Sequence, residues 1–93
     1  MYNKYVRITF DPAKDLGNQR KHSVSLSEAR EFEWDEALVR EDTRREYGEC
    51  RMIALGYVGA RLYCAIYVDR DDGRRIISLR KANSREVRLY AEA

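Results

Sequence analysis

Two runs of β-pattern, Arg61–Asp69 and Arg74–Ala82, are separated by Asp71–Asp72–Gly73. Turn formers between alternating apolar runs fold a chain back on itself, so this stretch is predicted to be an antiparallel hairpin. Gly59 joins Cys50–Val58 to the first run in the same way, and a shorter run, Ala37–Glu41, precedes the charged loop Asp42–Gly48. Successive strands with such short connections form a meander. Within RRIISLRKA, Arg74–Ala82, alternation sets Ile77 and Leu79 on one face and Ile76, Ser78 and Arg80 on the other. Ser78 and Arg80 are then neighbours about 6.6 Å apart along an extended strand.

The same alternation is expected to draw Leu62, Cys64, Ile66, Val68, Ile77 and Leu79 onto a face buried under helices. The opposite face collects Arg61, Tyr63, Tyr67, Ser78 and Arg80, with Arg51 joining where the register of its strand allows. Guanidinium groups for phosphates and rings for bases suit single-stranded nucleic acid, although a solvated face in a tyrosine-rich chain carries the same pattern.

Helices are predicted at both ends. Tyr5–Phe10 reads as a half-buried strand, and Asp11–Pro12 supplies an N-cap followed by proline at the first helical position. That helix ends near Lys21–His22, whose charges suit a helix C-terminus. Ser25 and Glu28 pattern a second helix with Leu26, Ala29 and Phe32 on one stripe, and Trp34 is expected to cover the sheet edge. Asn83 and Glu86 form a capping box for a last helix, Ser84 to about Ala91. The predicted order is β-α-α-β-β-β-β-α: an α+β fold with an antiparallel meander, two N-terminal helices and one C-terminal helix.

A chain of 93 residues is one domain, 1–93, with a single core. Its net charge of +2 says little, but the charges are segregated. Arg74, Arg75, Arg80, Lys81, Arg85 and Arg88 face only Glu86 in the last stretch, whereas nine acids between Glu28 and Glu49 outnumber four arginines. Such a molecule can hold a polyanion at one end and a basic partner at the other. Cys50 and Cys64 are expected to be reduced core thiols of a cytoplasmic protein, as no signal peptide or membrane-length apolar run is present.

RNA cleavage needs a proton taken from the 2′-hydroxyl, charge stabilised on the scissile phosphate, and a proton given to the 5′-oxygen. His22 is the only side chain whose ordinary pKa lies near neutrality. Lys21 is a candidate phosphate ligand, Arg80 a bidentate phosphate clamp, and Ser78 a donor to a non-bridging oxygen. Ser78 has no nucleophile-elbow context, and Asp69, Asp71 and Asp72 are accounted for by turn chemistry, so neither a serine hydrolase nor a metal centre is supported. No cofactor is expected.

Several motifs taken together resemble the BrnT family of bacterial type II toxins. They are ITFDPAK at Ile8–Lys14, N-x-x-K-H at Asn18–His22, S-x-x-E-A at Ser25–Ala29 and Y-G-E-x-R at Tyr47–Arg51. Gly56 and Arg61 follow, then R-I-I-S-x-R-K-A at Arg75–Ala82 and E-x-x-x-Y at Glu86–Tyr90. The chain departs from the pattern at Ser23, where glycine commonly follows K-H, and at Leu79, where a small residue commonly sits. The residue group reads as metal-independent endonucleolytic cleavage, and the resemblance implies a RelE-like ribonuclease toxin that cleaves RNA and inhibits translation. It also implies a BrnA-like, DNA-binding, autorepressing antitoxin as partner. Carried over, the motif residues are Lys21, His22, Glu49, Arg51, Arg61, Ser78 and Arg80. His22, Ser78 and Arg80 are the catalytic candidates, with Lys21, Arg51, Arg61, Tyr63 and Lys81 binding RNA. A non-catalytic RNA- or partner-binding module with a basic docking face is the alternative.

Overall fold

The computed structural model describes residues 6–93. Its elements are β1 (Ile8–Thr9), α1 (Pro12–His22), 3-10 helices at Leu26–Glu31 and Trp34–Glu36, β2 (Leu38–Glu41), β3 (Met52–Val58), β4 (Arg61–Arg70), β5 (Gly73–Lys81) and α2 (Ser84–Glu92). Tyr5, expected to open the first strand, lies outside the described residues.

The strands form one five-stranded sheet in the order β1-β5-β4-β3-β2. β2 to β5 are the expected antiparallel meander. The sheet as a whole is mixed, because β1 joins the outer edge of β5 in parallel, pairing Ile8 with Arg74 and Thr9 with Arg75. Contact between β1 and β5 is close. The Arg7 carbonyl accepts from the Arg74 N–H at 2.7 Å, and a Cβ on Gly73, at φ +139°, would lie 2.6 Å from that carbonyl oxygen.

β1 pairs with only the first residues of β5, and Asn18 of α1 takes over where it stops. Its side-chain amide donates to the Leu79 carbonyl at 2.8 Å and accepts from the Leu79 N–H at 3.2 Å, as a neighbouring strand would. The same amide nitrogen donates to the Val24 carbonyl at 2.8 Å, fixing the chain as it leaves α1. The sequence pattern is amphipathic too weakly to explain why this helix docks; one buried amide does so.

α1 begins as predicted, with the Asp11 carboxylate accepting from the Ala13 N–H at 2.9 Å. It ends at Ser23, which adopts the left-handed conformation at φ 60°. The segment after it is a 3-10 helix instead of the expected α-helix. Asp15 reaches across to accept from the Leu26 N–H at 2.7 Å, while the Ser25 hydroxyl serves Ser27. With its start held this way, the six-residue segment closes through i→i+3 bonds such as Glu28 N–H to Ser25 carbonyl. A second 3-10 turn at Trp34–Glu36 was not foreseen.

The main core lies between this helical layer and one sheet face: Ile8, Val24, Leu26, Ala29, Phe32, Ala54, Ala65, Tyr67, Ile76 and Leu79. Trp34 packs edge-on to Tyr67 with ring centres 5.1 Å apart, and the Arg74 guanidinium sits 4.7 Å over Trp34. Phe32 lies so close to the β3 backbone that a Cβ on Gly56 would fall 2.6 Å from its ring. A smaller cluster of Ile53, Leu55 and Cys64, with Leu38, Ile66 and Tyr90, occupies the other face beneath α2.

The expected division of faces is therefore corrected. Tyr63 and Tyr67 belong to the main core side, and Cys64 and Ile66 to the α2 side. Along β5, pairing jumps from Ile66↔Ser78 to Tyr67↔Ile76, leaving Ile77 as a bulge. The extra residue resets the alternation, so Ile76 shares the core face with Leu79. Cys64 is buried as expected, but Cys50 precedes β3 and is exposed.

Substitution Asn18→Ala leaves the Leu79 N–H and two carbonyls unpaired, and should destabilise the fold by about 2–4 kcal/mol in urea unfolding. Asn18→Asp, which turns both donations into repulsions, should cost more. A loss below about 0.5 kcal/mol for either would refute the edge-pairing role.

Candidate functional site

α1 runs beside the free edge of β5, and a groove of about 260 Å³ opens between them. Lys14, Gly17, Asn18, Lys21, His22, Ile77 and Ser78 line it. Lys14, Lys21 and His22 recur at helical spacing, so one face of α1 presents all three, and Gly17 leaves the space between them open. The bulge at Ile77 brings Ile77 and Ser78 to the opposite wall.

His22 is half-buried at the last turn of α1. Burial first, then the charges of Lys21 and Arg80, push its imidazole below the ordinary 6.5, so the neutral form dominates at pH 7. Arg80 follows Ser78 by two residues along β5, on the same face of the sheet. Arg80 is held by a fork-to-fork pair with Glu86 of α2, Nη1 to Oε1 at 2.9 Å and Nη2 to Oε2 at 2.8 Å. Glu86 Oε1 also accepts from the Asn83 N–H at 2.9 Å, completing the predicted capping box with Asn83 Oδ1, which accepts from the Glu86 N–H. The pairing with Arg80 holds the Glu86 carboxyl below its usual range. At its far end α2 is tied down by Tyr90, whose hydroxyl donates to the Glu36 carbonyl at 2.9 Å.

Lys21, His22 and Ser78 thus share the groove, and Arg80 stands two residues beyond Ser78 on β5. The other expected RNA ligands are elsewhere. Arg51 lies just before β3, its guanidinium 4.1 Å over the Tyr47 ring, and its buried Nε has no hydrogen-bond partner among the described residues. Arg61 opens β4 at the hairpin with β3, paired with Val58. Tyr63 packs against the main core, and Lys81, its partner across β4 and β5, is exposed on that side. Glu49 pairs with Arg70 at 2.9 Å. Sequence reasoning missed Lys14 and the part played by Glu86. The one-turn spacing of Lys14 and Lys21 with Asn18 was available as a signal; the link from Glu86 to Arg80 depends on how α2 turns back over the sheet.

A family model described as the ribonuclease toxin BrnT of type II toxin–antitoxin systems matches residues 10–86. The chain belongs to the BrnT family. No individually curated protein matches it. Membership makes the chain a toxin of a type II system, a class defined by a protein antitoxin, and carries ribonuclease activity at the level of the family. The matched span contains every residue of the groove and reaches Glu86 at its last position. Among the described residues no helix of this BrnT protein is long and apolar enough to cross a membrane.

Removing the Arg80 charge should move the His22 pKa upward in an NMR titration of the imidazole, because that charge is one of the three influences holding it down. An unchanged or lowered value in Arg80→Gln would mean the two groups do not share a field. The sign for stability follows from the same shift. Protonation of His22 is disfavoured in the folded state, so stability is complete above the ordinary 6.5 and is lost as pH falls through the lower folded value.

Proposed function

We propose that this BrnT protein cleaves single-stranded RNA without a metal ion, by attack of a 2′-hydroxyl on the adjacent phosphate, in the groove between α1 and β5. The observation that carries this reading is the convergence of a neutral imidazole, a lysine and a serine on one groove, with a forked arginine two residues beyond the serine on β5. His22, neutral at pH 7, accepts the 2′-hydroxyl proton. Arg80 faces the scissile phosphate and stabilises the charge that develops there. Ser78 donates to a non-bridging oxygen. Lys21, on the same face of α1 as Lys14, holds the phosphate and gives a proton to the 5′-oxygen as its bond to phosphorus breaks and the 2′-oxygen bond forms. Glu86 keeps the guanidinium of Arg80 from rotating away and touches no reacting atom. Arg51, Arg61, Tyr63 and Lys81 then bind RNA outside the groove, if they bind it at all.

Within the cell this activity inhibits translation in the cytoplasm, and a BrnA-like, DNA-binding antitoxin neutralises it and represses the shared operon. The acidic run Glu28–Glu49 offers a basic segment of that partner a complementary surface.

Labelled single-stranded RNA incubated with the protein in EDTA should be cut. Arg80→Ala should reduce the rate about 10²–10³-fold and His22→Gln about 10²–10⁴-fold, with the fold intact by circular dichroism. Uncut RNA in EDTA beside cut RNA in magnesium would refute the metal-free mechanism. RNA that is bound but left intact in both would favour the docking module instead. The acid limb of kcat/KM should fall below pH 6.5, where His22 becomes protonated and can no longer accept a proton.

A further inference from the structure

The register of the sheet arranges its α2-side residues in transverse rows. Leu38, Leu55, Cys64 and Arg80 form one, and Glu86 and Leu89 of α2 line a small pocket with Leu38 and Leu55 of this row and with Arg40 and Ile53 of the next. Arg40, Ile53, Ile66 and Ser78 form the next. This second row runs from the serine of the groove to an exposed arginine on the far edge strand, across a floor of buried Ile53 and partly exposed Ile66. Three strand spacings separate its ends, about 14 Å, a distance that an extended RNA strand covers in a few nucleotides.

The charges bordering this floor favour a polyanion. Arg80 stands beside Ser78 at one end and Arg40 closes the other. Arg44, on the loop after β2, is mostly exposed while it pairs with buried Asp42 at 2.7 Å. Burial pushes the Cys64 thiol up, with smaller influences from Arg80, Glu86, Arg40 and Arg44. The one carboxylate of that set, Glu86, is already engaged by Arg80. Among the described residues Arg40 has no acidic partner within ion-pair distance.

We infer that RNA leaves the groove along the row from Ser78 to Arg40, with Arg40 holding a backbone phosphate beyond the cleavage site and the partly exposed Ile66 lying beneath an intervening base. This rests on the reading of the groove as the RNA-cleaving site. Arg40 is a binding residue for longer strands and takes no part in the chemistry.

The test uses uncleavable 2′-O-methyl RNA as probe, a dinucleotide and a longer single strand, titrated into the full chain at several salt concentrations. Arg40→Ala should weaken the longer strand several-fold and reduce the magnitude of its logarithmic salt slope by about 0.7, one phosphate contact to a single strand. Dinucleotide binding should be unchanged, and Arg40→Lys should restore the slope. Arg7→Ala, at the opposite edge of the sheet, serves as the control and should leave both probes unaffected. Arg40 is exposed, so the variant is expected to fold, which its melting temperature will show. If Arg40→Ala binds the longer strand like the unmodified protein while Arg80→Ala weakens it, the path is wrong and the groove reading survives. If the unmodified protein binds neither probe, both fall together. Loss of antitoxin affinity in Arg40→Ala with RNA affinity intact would assign the face to the protein partner and overturn the inference.

Discussion

One side-chain amide joins the two halves of this molecule. Beyond Arg75, β5 has lost its β1 neighbour and presents unpaired backbone to α1. Asn18 supplies a donor and an acceptor to the same residue, Leu79, in the arrangement a further strand would offer. Because it also binds the Val24 carbonyl, it fixes both how far α1 stands from the sheet and where the chain goes afterwards. The width of the groove beside it follows from the length of an asparagine.

Much of the fold could be read from short-range chemistry. Asp11–Pro12 and the Asn83/Glu86 box gave the starts of both α-helices, and Asp71–Asp72–Gly73 gave the β4–β5 hairpin, because caps and turns depend on residues a few positions apart. Features set by distant contacts were not legible. The parallel pairing of β1 depends on Arg7 meeting Arg74, and the 3-10 helix depends on Asp15 capturing Leu26. The bulge at Ile77 exchanged the faces of Ile76 and Ile77, since strict period-two alternation has no place for an extra residue, and the register of β4 on β5 set Cys64 and Ile66 opposite Arg80 and Ser78. That register, a contact between distant residues, puts Tyr63 and Tyr67, expected beside Arg80, on the opposite side, while Ser78 and Arg80 share one face.

The candidate site divides in the same way. Lys21 and His22 are sequence neighbours at a helix end, and Ser78 and Arg80 are alternate residues of a strand, so each pair was visible alone. Their meeting is a product of the α1–β5 packing. Arg51, Arg61 and Lys81 share charge and motif with these residues without sharing the groove, because charge patterning carries no information about which side of a sheet, or which end, a residue occupies. The departure at Ser23 also acquires a physical meaning. It occupies the left-handed position that closes α1 directly after His22, where glycine would sit without a steric penalty.

Glu86 Oε1 is a point where two structures share one acceptor. It closes the first turn of α2 through the Asn83 N–H and at the same time holds Nη1 of Arg80. Anything that draws the guanidinium away alters the cap, and anything that unwinds the cap frees the guanidinium. The two ends of that exchange are thermodynamically reciprocal. The last helix of the chain is therefore a reporter: the protection of its leading amides against hydrogen exchange registers the occupancy of an arginine that belongs to the sheet.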